Sequence, residues 1–258
     1  MARNLRHLNV GGIALLVALA ALWQLAVGAS LIDLDYLPAP TEVVQAGVEQ
    51  VEAGALVTAT LHTLGVALAA WLIALVLGVA LGLLLGFSAA ARMVFTTSVE
   101  VLRTLPVVAF VPVAVLVFGL STRMEVVVAA WAALWPIVIN TLGGVEAVPA
   151  RLHEVAAVFR LSGARRIRSI VLPAAAPLIL VGARLGLSFA LIIAVVAEMI
   201  GNPQGLGHLV IRTQQALRTE AMFAGILVIG LLGVALNAAL LALTARAAPD
   251  MFEPGKRS

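Results

Sequence analysis

Long uninterrupted apolar runs are the feature that most restricts how this chain folds. A run of about 20 apolar residues has the length that a helix needs to cross the hydrocarbon core of a bilayer. The runs lack the alternation of apolar and polar residues that a transmembrane β-barrel requires. Within a bilayer the backbone must pair its own polar groups, and a continuous apolar run does so as an α-helix. The sequence therefore predicts an all-α, polytopic membrane protein.

The composition supports this prediction. Of 258 residues, 62% are hydrophobic and only 11% are charged. A soluble domain is typically about half apolar and a quarter charged. The chain has too little polar surface to cover a water-soluble core, so membrane lipid must solvate much of it. With no cysteine, disulfides, thiol catalysis and cysteine metal sites are excluded.

We predict six spans in a single transmembrane domain that covers residues 1–258. The first run follows Arg3 and Arg6 and is longer than the 7–15 residues of a signal-peptide core, so we expect it to be retained. A loop over 145–174 separates the fourth and fifth spans. The spans are predicted at 10–30, 58–87, 96–120, 125–144, 175–200 and 221–245.

Basic residues are distributed unevenly between the two sides of these spans. Eleven of the 16 Lys and Arg residues lie at the termini, in the 88–95 turn or in the 145–174 loop, and three lie on the other side. The segment 31–57 on that other side has acidic residues and no Lys or Arg. The positive-inside rule therefore places both termini and the 145–174 loop in the cytoplasm. Basic residues at the ends of apolar runs, rather than in one patch, do not indicate a nucleic-acid partner.

The 145–174 loop contains a short amphipathic pattern. Residues 150–161 place Leu152, Val155, Ala156 and Phe159 on one face at helical spacing. Periodicity alone is typical of a helix that lies at the lipid headgroups.

The same loop follows a recognisable motif. Residues 154–160 and 170–173 resemble the EAA loop of ABC importer permeases, which has Glu-Ala-Ala, then Gly, then Leu-Pro at the same spacing. Val155 stands in place of the first Ala and Arg160 in place of the Gly. Arg is a better helix former than Gly, so the substitution at Arg160 leaves the helix prediction in place.

Further short segments resemble one branch of that superfamily, the permeases of nitrate, sulfonate, taurine and related importers. The resemblance covers roughly residues 35–247. The segments that carry it are 36–40, the glycines spaced by four over 78–86, 140–141, and Gly-Leu-Gly at 205–207.

The resemblance implies an importer subunit of the bacterial inner membrane rather than an enzyme. It implies a homodimer, two cytoplasmic ATPase subunits that hold the ATP and Mg²⁺, and an extracytoplasmic solute-binding protein. The chain itself is expected to bind no cofactor, and it has no phosphate-cradling glycine loop. The residues assigned to coupling with the ATPase are Glu154, Val155, Ala156, Phe159, Arg160, Leu172 and Pro173.

Ionisable and amide side chains within spans are rare and often mark a transport path. The candidates for a path or gate are Glu198, Glu100, Arg103 and Asn140. Glu100 and Arg103 are three residues apart, and we expect them to pair on one helix face. Arg184 is expected to extend toward the headgroups. Asn140 and Asn237 are expected to bridge helices.

Gly78, Gly82 and Gly86 share one face of the second span. Small residues at this spacing let helix backbones approach closely, either within the chain or across a dimer seam. The four histidines share no ligand spacing, so we predict no metal site.

Two other function classes make different demands on the sequence. A secondary transporter would have an inverted repeat with ionisable groups at mid-membrane, and a membrane enzyme would have paired acids, a His cluster or a nucleophile. The sequence offers neither arrangement clearly. It leaves the solute open between a sulfonate or taurine, nitrate and a small heterocyclic precursor.

Overall fold

The computed structural model describes residues 10–29, 36–161 and 163–247, and every regular element in these ranges is helical. Several charged residues used to predict the orientation lie outside the described ranges. They are Arg3, Arg6, Asp33, Asp35, Lys256 and Arg257.

Within the described ranges, four helices are long and apolar enough to cross a membrane. They correspond to the predicted spans 58–87, 125–144, 175–200 and 221–245. These helices are α3 (Ala55–Phe87), α6 (Thr122–Glu146), α9 (Leu172–Gly201) and α11 (Thr219–Ala247). The predicted first span corresponds to α1 (Val10–Gly28), within which Ala14–Gly28 forms a shorter apolar helix.

The described residues also form six shorter helices, which lie between the long ones or continue them. At the start of the first of them, Pro40 occupies the first turn, and the backbone N–H of Ala39 donates to Glu42 Oε2 at 2.8 Å. The shorter helices are α2 (Pro40–Glu52), α4 (Ala89–Thr104), α5 (Val111–Phe118), α7 (Ala150–Val158), α8 (Gly163–Arg166) and α10 (Gly205–Gln215).

The single helix predicted over 96–120 is wrong. Helix α4 ends at Thr104, and Leu105 is extended with ψ 130° because the following Pro106 excludes the helical conformation at this position. A 3-10 turn (Val107–Phe110) then leads into α5, which ends at Phe118 and is followed by Gly119 with φ +69°. The third apolar run is therefore two helices joined by a bend.

The fifth helix begins earlier than the predicted span 175–200. Helix α8, a π-helical turn (Ile167–Val171) and α9 form one helix over Gly163–Gly201. The π turn comes immediately before Pro173, whose ring and missing N–H disturb a regular α-helical turn. The second half of the predicted 145–174 loop is thus part of the helix.

Helices α3, α6 and α9 form the core, and alanines at their contacts let the backbones approach closely. The glycine face of α3 packs against α6. A Cβ atom at Gly78 would lie 2.7 Å from a methyl of Ile137, and one at Gly86 would lie 2.6 Å from Val145. Gly82 faces Thr141 in the same way. The glycines at 78, 82 and 86 therefore serve packing within the chain.

Candidate functional site

A buried polar cluster lies where α3 and α6 begin and α9 ends, which we call the α10 end of the bundle. The cluster consists of His62 and Thr63 from α3, Glu125 from α6 and Glu198 from α9. The side chains of Thr63, Glu125 and Glu198 are fully buried. The long sequence separations of these residues make the cluster a product of helix packing.

Glu198 connects α9 to α10 through backbone hydrogen bonds. The N–H of Gly207 donates to Glu198 Oε2 at 2.8 Å, and Thr63 Oγ1 lies 2.9 Å from the same oxygen. Thr63 Oγ1 also accepts from the N–H of Leu206 at 2.9 Å. Backbone N–H groups of the Gly-Leu-Gly segment at 205–207 therefore anchor the start of α10 to Thr63 and to the carboxylate of Glu198.

His62 pairs with Glu125 across α3 and α6. His62 Nε2 lies 3.0 Å from Glu125 Oε2, and the His62 side chain is 14% exposed. His62 also lines a cavity of about 400 Å³ whose wall includes Gly205, His208 and Arg212. The cluster is thus buried but borders a cavity that water can enter.

At the opposite end, which we call the α7 end, the predicted coupling helix is shorter than the predicted range 150–161. Helix α7 ends at Val158. Ala156 is buried, and Leu152 packs on a small core formed by Val145, Val148 and Val171. Leu152 therefore holds α7 against the end of α6 and the π turn before α9.

Phe159 does not share one helix face with Leu152 and Ala156, contrary to the prediction. Because α7 ends one residue earlier, Phe159 leaves the helix and is 72% exposed, next to Val158 at 78%. Glu154 is exposed as well, while Val155 lies within α7. The exposed apolar surface at the α7 end is therefore formed by Val158 and Phe159.

Arg160 does not continue the helix, contrary to the prediction. Its φ is +49°, and the N–H of Leu161 donates to the carbonyl of Ala156 at 2.9 Å. This hydrogen bond across a left-handed residue is the Schellman helix end, a position that glycine prefers because it lacks a Cβ atom. Arg160 thus adopts the conformation for which the motif has Gly.

One arginine lies midway along a long helix, and its side chain is exposed. Arg184 is in the middle part of α9, and its Nε donates to Asn237 Oδ1 on α11 at 2.6 Å. No acidic side chain in the described part of the chain forms an ion pair with it. Asn237 therefore bridges two helices as predicted, and the charge of Arg184 has no carboxylate partner among these residues.

The profile of the family described as binding-protein-dependent transport system inner membrane component matches residues 74–253. The chain belongs to this family. The putative aliphatic sulfonates transport permease SsuC of Bacillus subtilis is 33% identical, over 86% of this chain and 80% of its own length. The taurine transport permease TauC of Escherichia coli is 29% identical, over 94% of this chain and 89% of its own length.

A solved amino acid ABC transporter structure shares the fold of the permease, with a TM-score of 0.60 at 18% identity over 77% of this chain and 95% of that one. The permease is thus a multi-pass transport subunit of an ABC importer with the type I permease fold. ATP hydrolysis belongs to a partner subunit in this family, so the permease is not an enzyme.

Three other predicted site residues of the permease occupy different surroundings. Glu100 and Arg103 are both exposed on α4, and the predicted ion pair between them is absent from the described structure because neither side chain reaches the other. Asn140 Nδ2 donates to the carbonyl of Pro136 at 2.8 Å within its own helix, so it does not bridge helices by this bond.

The sequence prediction for the permease identified Glu198 but missed its neighbours His62, Thr63 and Glu125. The signal available in the sequence was a Glu, Glu125, in the first turn of an apolar span. Three side chains of the cluster, His62, Glu125 and Glu198, could hold a metal ion, because their ligand atoms lie within 4.8 Å of one another. Ligand spacing along the chain could not reveal a site assembled from three helices.

Proposed function

We propose that this permease forms the transport path of an ATP-driven importer and that its ATPase binds it at α7. The proposed solute is a small oxyanion of the sulfonate kind. The observation that carries the proposal is the packing of α7 on the π turn that leads into one continuous helix, Gly163–Gly201. A displacement of α7 would move the base of a helix that crosses the whole bundle.

The surface that would enter the ATPase is small, apolar and exposed. Val158 and Phe159 supply the apolar part, as in other cases where a short helix docks in a groove. Glu154 is exposed beside them and would pair with a basic group of the ATPase. Within α7, Val155 and Ala156 would support this surface.

The residues between α7 and the membrane would transmit the motion. Arg160 fixes the turn at the end of α7, and Leu172 and Pro173 lie in the first turn of α9. Nucleotide-driven closure of the ATPase would then bias the permease between an inward-open and an outward-open state.

The distribution of basic residues supports a cytoplasmic position for α7. Arg151, Arg165, Arg166 and Arg168 surround it, whereas the acidic α2 lies at the α10 end. By the positive-inside rule, the α7 end and both termini face the cytoplasm, and the α10 end faces the solute-binding protein.

The described part of the chain has four long helices, which are too few to enclose a solute path easily and so favour an assembly of two permease chains with two ATPase subunits. ATP and Mg²⁺ would be bound by the ATPase subunits. A binding protein would deliver the solute at the α10 end.

Arg184 supports an anionic solute. Its side chain is exposed at mid-span, where an arginine usually faces a water-filled cavity, so such a cavity would form in the assembled permease. The planar guanidinium matches the oxygens of an oxyanion. Its described neighbour, Asn237, is neutral. The relatives are named for the transport of aliphatic sulfonates and of taurine, and each of these solutes carries a sulfonate group.

The test is uptake by proteoliposomes that contain the permease, its ATPase and its binding protein. We expect ATP-dependent accumulation of taurine or an alkanesulfonate, and none without the ATPase. Accumulation of solute by the permease alone would instead identify a secondary transporter. ATP-dependent uptake of nitrate or a heterocycle, with no uptake of sulfonates, would retain the importer and reject the solute class.

A further inference from the structure

We propose that His62, Glu125 and Glu198 form a binding site for a divalent cation of the first transition row, such as Zn²⁺ or Mn²⁺. The site lies at the α10 end, remote from α7. The proposal does not depend on the identity of the solute or on the ATPase.

The first argument is the ligand set. An imidazole nitrogen and two carboxylates are typical ligands of Zn²⁺ and related cations. Their ligand atoms lie within 4.8 Å of one another. Ligand atoms bound to one such ion are about 2.0–2.2 Å from it, so small rotations of the side chains bring all three to a common centre.

The second argument is the presence of unpartnered buried oxygens. The side chains of Glu125 and Glu198 are fully buried, yet the Oε1 atom of each accepts no hydrogen bond. Buried polar atoms almost always have a partner, so two unpaired carboxylate oxygens in one cluster indicate that a bound partner is missing. A cation supplies a partner for both.

The third argument is charge. Two carboxylates with no Lys or Arg ion pair in the described structure are costly to bury. His62 supplies at most one positive charge. A divalent cation bound to neutral His62 balances both carboxylates and leaves no net charge in the cluster.

The surrounding groups orient the ligands. Glu198 Oε2 is held by the N–H of Gly207 and by Thr63 Oγ1, which leaves Oε1 available. Such outer hydrogen bonds fix ligand orientation in metal sites. His62 borders the cavity of about 400 Å³ at the α10 end, which provides an entry route for the ion.

The test uses the full-length permease, purified in detergent and freed of metal. After incubation with Zn²⁺ and dialysis, we expect about one Zn²⁺ per chain by mass spectrometry of the metal content, and a higher melting temperature than for the metal-free protein. Co²⁺ should give the visible absorption of a nitrogen- and oxygen-bound ion. His62→Gln and Glu125→Gln should weaken Zn²⁺ binding by about tenfold or more.

His208→Gln is the matched control, because His208 lines the same cavity but is outside the cluster. It should bind Zn²⁺ as the parent does. Each variant's melting temperature without metal shows whether it is folded, and His62→Gln loses only a partly exposed side chain. The proposal would be overturned if the parent bound no Zn²⁺, or if His208→Gln and His62→Gln lost Zn²⁺ binding to the same extent. Either result would leave a proton shared between the two carboxylates as their partner.

Discussion

The carboxyl group of Glu198 occupies the space where a side chain at Gly205 would begin. A Cβ atom at Gly205 would overlap the carboxyl carbon and both oxygens of Glu198, and Gly205 has φ +88°. The start of α10 is therefore restricted to glycine by two independent causes, steric overlap and backbone conformation.

Gly205→Ala should lower the stability of the permease by about 1–3 kcal/mol or more, because it adds overpacking to a left-handed backbone conformation. The measurement is the thermal melting of the purified protein in detergent. Gly230→Ala is the control, since a Cβ atom at Gly230 in α11 meets nothing within 4 Å. That change should be neutral or stabilising, because Ala is the better helix former. Equal melting of the two variants would contradict the steric argument.

Arg160→Gly should stabilise the end of α7 by roughly 1 kcal/mol, because Gly adopts positive φ without the cost that a Cβ atom imposes. Amide hydrogen exchange in residues 154–161 should become slower. Arg151→Gly, within α7, should act in the opposite direction because Gly weakens a helix interior by about 1 kcal/mol. Faster exchange in Arg160→Gly would show that the Arg side chain itself holds the turn.

Phe159→Asp should reduce recovery of the ATPase with the affinity-tagged permease by about tenfold or more, since exposed aromatic residues often dominate such interfaces. The matched change is Val48→Asp, which places the same charge on an exposed apolar position of α2 at the α10 end. ATPase recovery should be normal in this control. Unchanged recovery with Phe159→Asp would mean that the ATPase binds elsewhere.

Arg184→Gln should lower ATP-dependent sulfonate uptake by about tenfold or more, because the mid-span positive charge is removed. Arg184→Lys should retain part of the uptake, since it keeps the charge but not the planar fork. Asn237→Ala removes the neighbour of Arg184 and preserves its charge, so it should have a smaller effect. ATPase recovery separates loss of transport from loss of assembly. Normal uptake in Arg184→Gln would exclude Arg184 from the path.

The helix positions were predictable where a run of apolar residues alone decides them. Helices α3, α6 and α11 lie close to their predicted spans for this reason. Prolines decide the remaining cases, and their effect depends on context. Pro106 separates two helices, whereas Pro173 lies in the first turn of α9 and Pro177 is tolerated within it. Sequence alone does not distinguish a proline that ends a helix from one that widens a turn.

The candidate sites differ in the same way. The segment around Glu154 could be recognised because its residues are contiguous and follow a motif. The cluster of His62, Glu125 and Glu198 could not, because it requires the relative rotation of three helices. The end of α7 was mispredicted because helix propensity favoured Arg at residue 160, while the turn requires a left-handed backbone there.

The uninterrupted helix Gly163–Gly201 has a geometric consequence at the far side of the bundle. At about 1.5 Å per residue its 39 residues extend roughly 58 Å. A tilt of only about 5° at its base would swing its tip by about 5 Å, on the same geometry. Since Glu198 is hydrogen-bonded to the first turn of α10, that swing would carry α10 with it. A small displacement at the α7 end would thus become a larger one at the α10 end, because the helix acts as a lever.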